Sequence, residues 1–145
     1  MRRFLTVTSI SVGCLAMMSI NSNRAAAAGC QGGHYDVGFR PMVMSQGPTT
    51  VTCNVRVTAI NQVFTNFEGT CQTENGGVTD KAEGNIKENR AFHLTASWHG
   101  GPVGIYTGFV EDDGSISDGR TFDKSNTQKW AVWNLKSMVL KCATP

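Results

Sequence analysis

The chain has no Gly-x-Ser-x-Gly elbow, no His-Glu-x-x-His pair and no Cys-x-x-Cys spacing. Those patterns place a serine nucleophile, zinc-binding histidines or clustered thiolates where their chemistry needs them. Their absence argues against an enzyme and against a bound cofactor or metal. His34, His93 and His99 do not repair it, because they are dispersed and alternation turns His93 outward on its strand. The Glu111-Asp112-Asp113 run is acidic, but it sits at a tight turn and reads as a solvated hairpin tip. Helical periodicity is missing beyond the first residues. So is any stripe of basic residues, which excludes the footprint of a nucleic-acid binder and of an anionic-membrane binder.

What is present begins with an address. Arg2 and Arg3 precede an apolar run from Phe4 to Ile20, and small residues follow at Ala25–Gly29. This order of charge, apolar core and Ala-x-Ala site is that of an export signal, residues 1–28. The run is broken by Thr and Ser and is short for a membrane span. Cleavage leaves one domain, residues 29–145, about 117 residues on ordinary size priors. Removing Arg2, Arg3 and Arg24 changes the charge. Ten Lys and Arg then face eleven Asp and Glu, a net charge of −1 in place of +2. The expected location is extracellular, periplasmic or the cell envelope. Ala27-Ala28-Gly29-Cys30 also resembles a lipobox, with Ala27 where Leu is usual. Lipidation of Cys30 is the one route to a membrane, and it would leave Cys142 without a partner.

Export makes disulfides possible. It removes Cys14 and leaves Cys30, Cys53, Cys71 and Cys142. The rest of the chain alternates apolar and polar residues between Gly, Asn and Asp turns, an all-β meander. Hairpin register can be read from the turns, since opposed residues step away from a turn in pairs. The turn near Asn61-Gln62 sets Cys53 against Cys71 and Val57 against Phe67. Facing cysteines on adjacent strands can bridge, so Cys53 is paired with Cys71. Cys30 is then left for Cys142, tying the ends of the domain together, one of three connectivities that four cysteines allow.

Asn75-Gly76, the strongest short hairpin signal, sets Phe67 against Gly84 and Cys71 against Asp80. The turn near Glu88-Asn89-Arg90 sets Ile86 against Phe92, Ala82 against Ala96, and Asp80 against Trp98. Asp113-Gly114 sets Tyr106 against Thr121, Gly108 against Gly119 and Val110 against Ser117. Three of these hairpins agree on one apolar face, which carries Val51, Val55, Val57, Phe67, Ile86, Phe92, Leu94 and Trp98. About eight antiparallel strands, the last being Ser137–Cys142, are expected to close into an up-and-down barrel with two disulfides.

The inner face becomes more polar late in the chain. Asp80, Tyr106, Ser117 and Thr121 fall on it, with Gly108 opposite Gly119 leaving room. Polar groups inside a small barrel need partners, and a ligand stacked on Trp98 can supply them. The competing reading places Asp80 at the rim on the Trp98 indole N–H, with glycines at barrel bends. As a buried aromatic, Trp98 is expected to cost about 3–5 kcal/mol when cut to Ala. Trp130 and Trp133 differ by an odd number, so one faces the core and the other the surface.

The second half of the chain resembles the avidin and streptavidin family of small barrels. Glu68-Gly69-Thr70-Cys71 sits where that family has a Gly-Thr-Tyr strand. Phe92–Trp98 resembles its apolar strand ending in a ligand-packing Trp, Thr107-Gly108 with Asp113-Gly114 its next hairpin, and Trp130 its late Trp. The likeness spans residues 64–140. It implies a ligand-holding barrel, with Trp98 and Trp130 packing on the ligand. It does not imply biotin, because the early Gly-x-Trp with its Asn and Ser has no counterpart in Gly33-His34-Tyr35-Asp36.

The expected function is a secreted, non-catalytic protein holding a small ligand through Asp80, Trp98, Tyr106, Ser117, Thr121 and Trp130. The alternative is a secreted interaction or inhibitor module that meets an extracellular protein through loops such as His99–Val103 and Lys124–Gln128.

Overall fold

Residues 35–37, 41–60, 64–137 and 140–142 are described by a computed structural model. The expected export signal, the lipobox-like stretch, Cys30 and His34 lie outside them. Alternation produces ten strands: β1 Tyr35–Asp36, β2 Met42–Gln46, β3 Thr49–Ile60, β4 Phe64–Thr73, β5 Thr79–Lys87, β6 Ala91–Trp98, β7 Val103–Val110, β8 Ile116–Asp123, β9 Asn126–Leu135 and β10 Lys141–Cys142. Strands β2 to β9 form a closed antiparallel barrel in chain order. Closure joins β2 to β9 through Met44↔Leu135 and Gln46↔Trp133, leaving no barrel edge unpaired.

The barrel has eight strands, but not the eight expected. Ser137–Cys142 is not its last strand. Met42–Gln46 takes that place, with Met42 and Met44 buried inward. Lys141–Cys142 instead pairs with Tyr35–Asp36 in a separate two-stranded sheet, Tyr35 opposite Cys142. This small sheet lies by one end of the barrel. Tyr35, Val37 and Leu140 are buried in the core, and the Tyr35 N–H donates to Thr65 Oγ1.

The Asn75-Gly76 turn forms with Gly76 at φ 85°, a left-handed conformation that glycine adopts without a Cβ penalty. The first hairpin has the expected register, Val51↔Thr73, Cys53↔Cys71 and Val57↔Phe67. Cys53 and Cys71 are disulfide-bonded with Cα atoms 4.0 Å apart, consistent with an oxidising compartment. Cys142 is disulfide-bonded as well, and its expected partner, Cys30, lies outside the described residues.

Two bulges displace expected partners. Between β5 and β6 the ladder runs Ala82↔Ala96, Lys81↔Ser97, then Thr79↔Trp98. The extra residue is Asp80, which therefore turns out of the inner face. Thr79 turns in instead. Its hydroxyl accepts from the Cys71 N–H at 2.7 Å and donates to the Cys71 carbonyl at 3.3 Å, taking the part assigned to Asp80. Between β7 and β8 the ladder shifts after Thr107↔Arg120, so Val110 faces Ile116 and Phe109 faces Ser117. Asp118 absorbs the extra residue at φ 52°, a conformation Asp tolerates better than most residues. Ser117 leaves the inner face and hydrogen-bonds Glu111 through its hydroxyl.

The interior is an aromatic column. Phe67 stacks on Phe92 at 5.9 Å, Phe92 meets Trp133 at 5.5 Å, and Tyr106 meets Trp133 edge-on at 6.0 Å. Trp133 is wholly buried, and its indole N–H is shared by the carbonyls of Thr107 and Arg120 at 3.0 and 3.1 Å. Those carbonyls flank the β7–β8 bulge, so the indole satisfies acceptors where the ladder shifts. Gly108 and Gly119 leave no opening. A Cβ on Gly119 would lie 2.1 Å from the Trp133 carbonyl, and one on Gly108 would lie 2.3 Å from Ile116.

Candidate ligand pocket

The two ends of the barrel differ. The end by β1 and β10 is packed. There Arg90, buried, pairs with Asp112 at 2.6 Å. At the other end the β2–β3, β4–β5, β6–β7 and β8–β9 turns surround a cavity of about 460 Å³. Its walls are mostly apolar: Val51, Trp98, Pro102, Gly104, Ala131 and the edge of Trp130. Its polar lining is chiefly uncharged, from Gln46, Thr49, Thr73, Tyr106 and Thr121.

Alternation explains how the strands aim these groups. Tyr106 and Thr121 are cross-strand partners on the inner face, and Gln46 enters from β2 on the far side of the closure. The Tyr106 hydroxyl donates to Gln46 Oε1 at 3.3 Å. Burial pushes the Tyr106 phenol above its ordinary range, and a hydrogen bond with Thr121 only partly opposes that. The phenol therefore stays protonated and able to donate. Trp98 is half-buried at the lip, with Nε1 3.2 Å from where a Gly104 Cβ would lie. Any side chain at residue 104 would intrude on this indole.

Two charged residues stand at the mouth, Asp123 and Lys129. Asp123 is committed to its own turn. The Ser125 hydroxyl and N–H both donate to its Oδ1 at 2.7 Å and hold its carboxyl below the usual carboxylate range.

Of the residues singled out in the sequence, Trp98, Tyr106, Thr121 and Trp130 meet at this cavity. Trp130 does so from outside, since Trp133 is the inward tryptophan of β9. Asp80 and Ser117 do not take part. Asp80 is exposed, with Oδ1 2.7 Å from His99 Nδ1 and not on the Trp98 indole. His93 faces outward, as alternation requires, and lines a shallow polar depression on the outer wall. Burial first, then Lys87, holds its ring below the ordinary imidazole range. Among the described residues no three His, Cys, Asp or Glu side chains are grouped to hold a metal ion.

Gln46 is the participant that sequence reading misses. It lies 60 residues from Tyr106, and only closure of β2 onto β9 brings the two together. Thr49 and Thr73 also line the cavity and are not among the residues singled out in the sequence, although the register of the first hairpin already sets Thr73 against Val51. No family model, no curated protein and no solved structure matches this chain.

Proposed function

We propose that this chain is a secreted, non-catalytic binding protein that holds a small, uncharged ring compound in the open end of an avidin-like barrel. The observation that carries the reading is the cavity of about 460 Å³ between Trp98 and Thr121. Ligand pockets commonly measure about 300–1,000 Å³, with apolar walls and a few convergent polar groups. Here the apolar walls suit a flat ring against Trp98. The Gln46–Tyr106–Thr121 floor offers donors and acceptors without a charge, so a neutral polar edge fits and a buried ion does not. The Cys53–Cys71 disulfide supports an exported protein.

Matched probes test this. Naphthalene, 2-naphthol and 2-naphthoate share one ring system and differ in a neutral hydroxyl or a charge. NMR titration of the exported protein is expected to move the Trp98 indole signal with 2-naphthol. Binding should be about threefold to tenfold tighter than for naphthalene, the worth of one net hydrogen bond, and 2-naphthoate should bind weakest. Tyr106→Phe should erase the preference for the hydroxyl, whereas Asp80→Asn, outside the cavity, should change nothing. No movement of the Trp98 signal with any probe would sink the reading.

A further inference from the structure

The outer wall of β7, β8 and β9 departs from the rest of the barrel. Elsewhere the outer faces of the strands are mainly polar, such as Asn54 and Arg56 on β3 or Lys81 and Glu83 on β5, and the exposed Ile60 and Val78 lie singly at or next to strand ends. On this wall Ile105, Phe122 and Trp130 form one cross-strand row, and Thr107, Arg120 and Val132 form the next. Trp130 and Val132 are 54% and 55% exposed, and Phe109 on the same wall is 37% exposed. Contiguous exposed apolar side chains of this size mark interaction surfaces on soluble proteins.

Charge indicates what such a surface accepts. The Arg120 guanidinium lies 4.9 Å from the centre of the Trp130 ring. Stacked this way, its N–H edge is still suited to a carboxylate. Lys124 and Lys129 flank the wall at the β8–β9 turn. Among the described residues none of these three cations has an ion pair. Of the acidic residues beside them, Asp123 is occupied by Ser125 and Glu111 by Ser117. Asp118, at the bulge, is exposed on the same strand as Arg120.

We propose that this wall is a docking surface for a protein segment carrying acidic side chains next to apolar ones. A second copy fits poorly, because a two-fold interface would press two copies of the same patch together, each bringing Arg120, Lys124 and Lys129 without an ion-pair partner. An anionic bilayer fits poorly too, since polybasic membrane sites cluster about four to eight cations. The closed barrel has no edge strand to extend, so the partner must be read by side chains and not by added β-pairing. Trp and Arg are the residue types that most often dominate such interfaces.

The test is selection of short random peptides on the immobilised, disulfide-intact exported protein, followed by titration of the recovered peptides. Supporting peptides combine Asp or Glu with Trp, Phe or Leu and weaken as salt rises. They lose about tenfold or more in affinity with Trp130→Ala and with Arg120→Glu. Val132→Glu, on the neighbouring row, should weaken them as well. Lys136→Gln, just past the other end of β9, should leave them unchanged. NMR spectra of the variants establish that each is folded. The proposal is overturned if no peptide is recovered, if the recovered peptides lack acidic residues, or if they ignore the Trp130 and Arg120 changes. A dimer in sedimentation that Trp130→Ala dissolves would overturn it in favour of a second copy.

Discussion

Replacing Trp133 by Ala is expected to remove about 3–5 kcal/mol of stability, much of what a domain of this size ordinarily has. Trp133 is wholly buried, touches Phe92 and Tyr106, and supplies the N–H shared by the Thr107 and Arg120 carbonyls. Its removal leaves a void in the aromatic column and two acceptors without their indole donor at the β7–β8 bulge. Urea unfolding followed by far-UV circular dichroism measures this as a fall in midpoint with little change in slope. The same truncation at Trp98 is expected to cost less, because that ring is half-buried at the mouth. If Trp98→Ala proved the more damaging, the assignment of core and lip to these two tryptophans would be wrong.

Converting both Cys53 and Cys71 to Ala is the second large perturbation. The bond joins residues 18 apart on neighbouring strands, and a loop of that length is worth about 3 kcal/mol through the unfolded chain it restrains. Both side chains are buried against the core. Ala is therefore the right replacement, since Ser would add the cost of an unsatisfied hydroxyl. The double variant should unfold at correspondingly lower denaturant concentration. A reductant that destabilises the parent should then act on the variant only through Cys142, which is separately bonded. An unchanged midpoint in the variant would mean that the hairpin register, not the bond, holds β3 to β4.

These hairpins are legible in the sequence because their turns declare themselves. Asn75-Gly76 sets Phe67↔Gly84, and the Glu88–Arg90 turn sets Ile86↔Phe92, as found. Bulges have no comparable signal. Asp80 and Asp118 are single polar residues inside otherwise regular alternation, and counting from a turn runs straight through them. At Asp80 the uncounted residue changes the facing on the side away from the turn, whereas at Asp118 it changes the facing of Ser117, between bulge and turn, and leaves Tyr106 opposite Thr121. Regular alternation thus puts Asp80 and Ser117 on the inner face, which Thr79 and Ile116 occupy. The closing strand is obscure for a different reason. Met42–Gln46 is five residues long, between Pro41 and Gly47-Pro48, too short an alternation to stand out. Without it Gln46 cannot be placed beside Tyr106, and the pocket floor is incomplete.

The sheet formed by β1 and β10 brings both ends of the described chain to the packed end, opposite the mouth. This fixes how the molecule is presented when it is held beside Tyr35 or Cys142. A fusion partner, a bead or an anchor joined there would sit behind the barrel, leaving the cavity facing outward and unobstructed. Tethering through the β4–β5 or β6–β7 turns would do the reverse and set the mouth against the support.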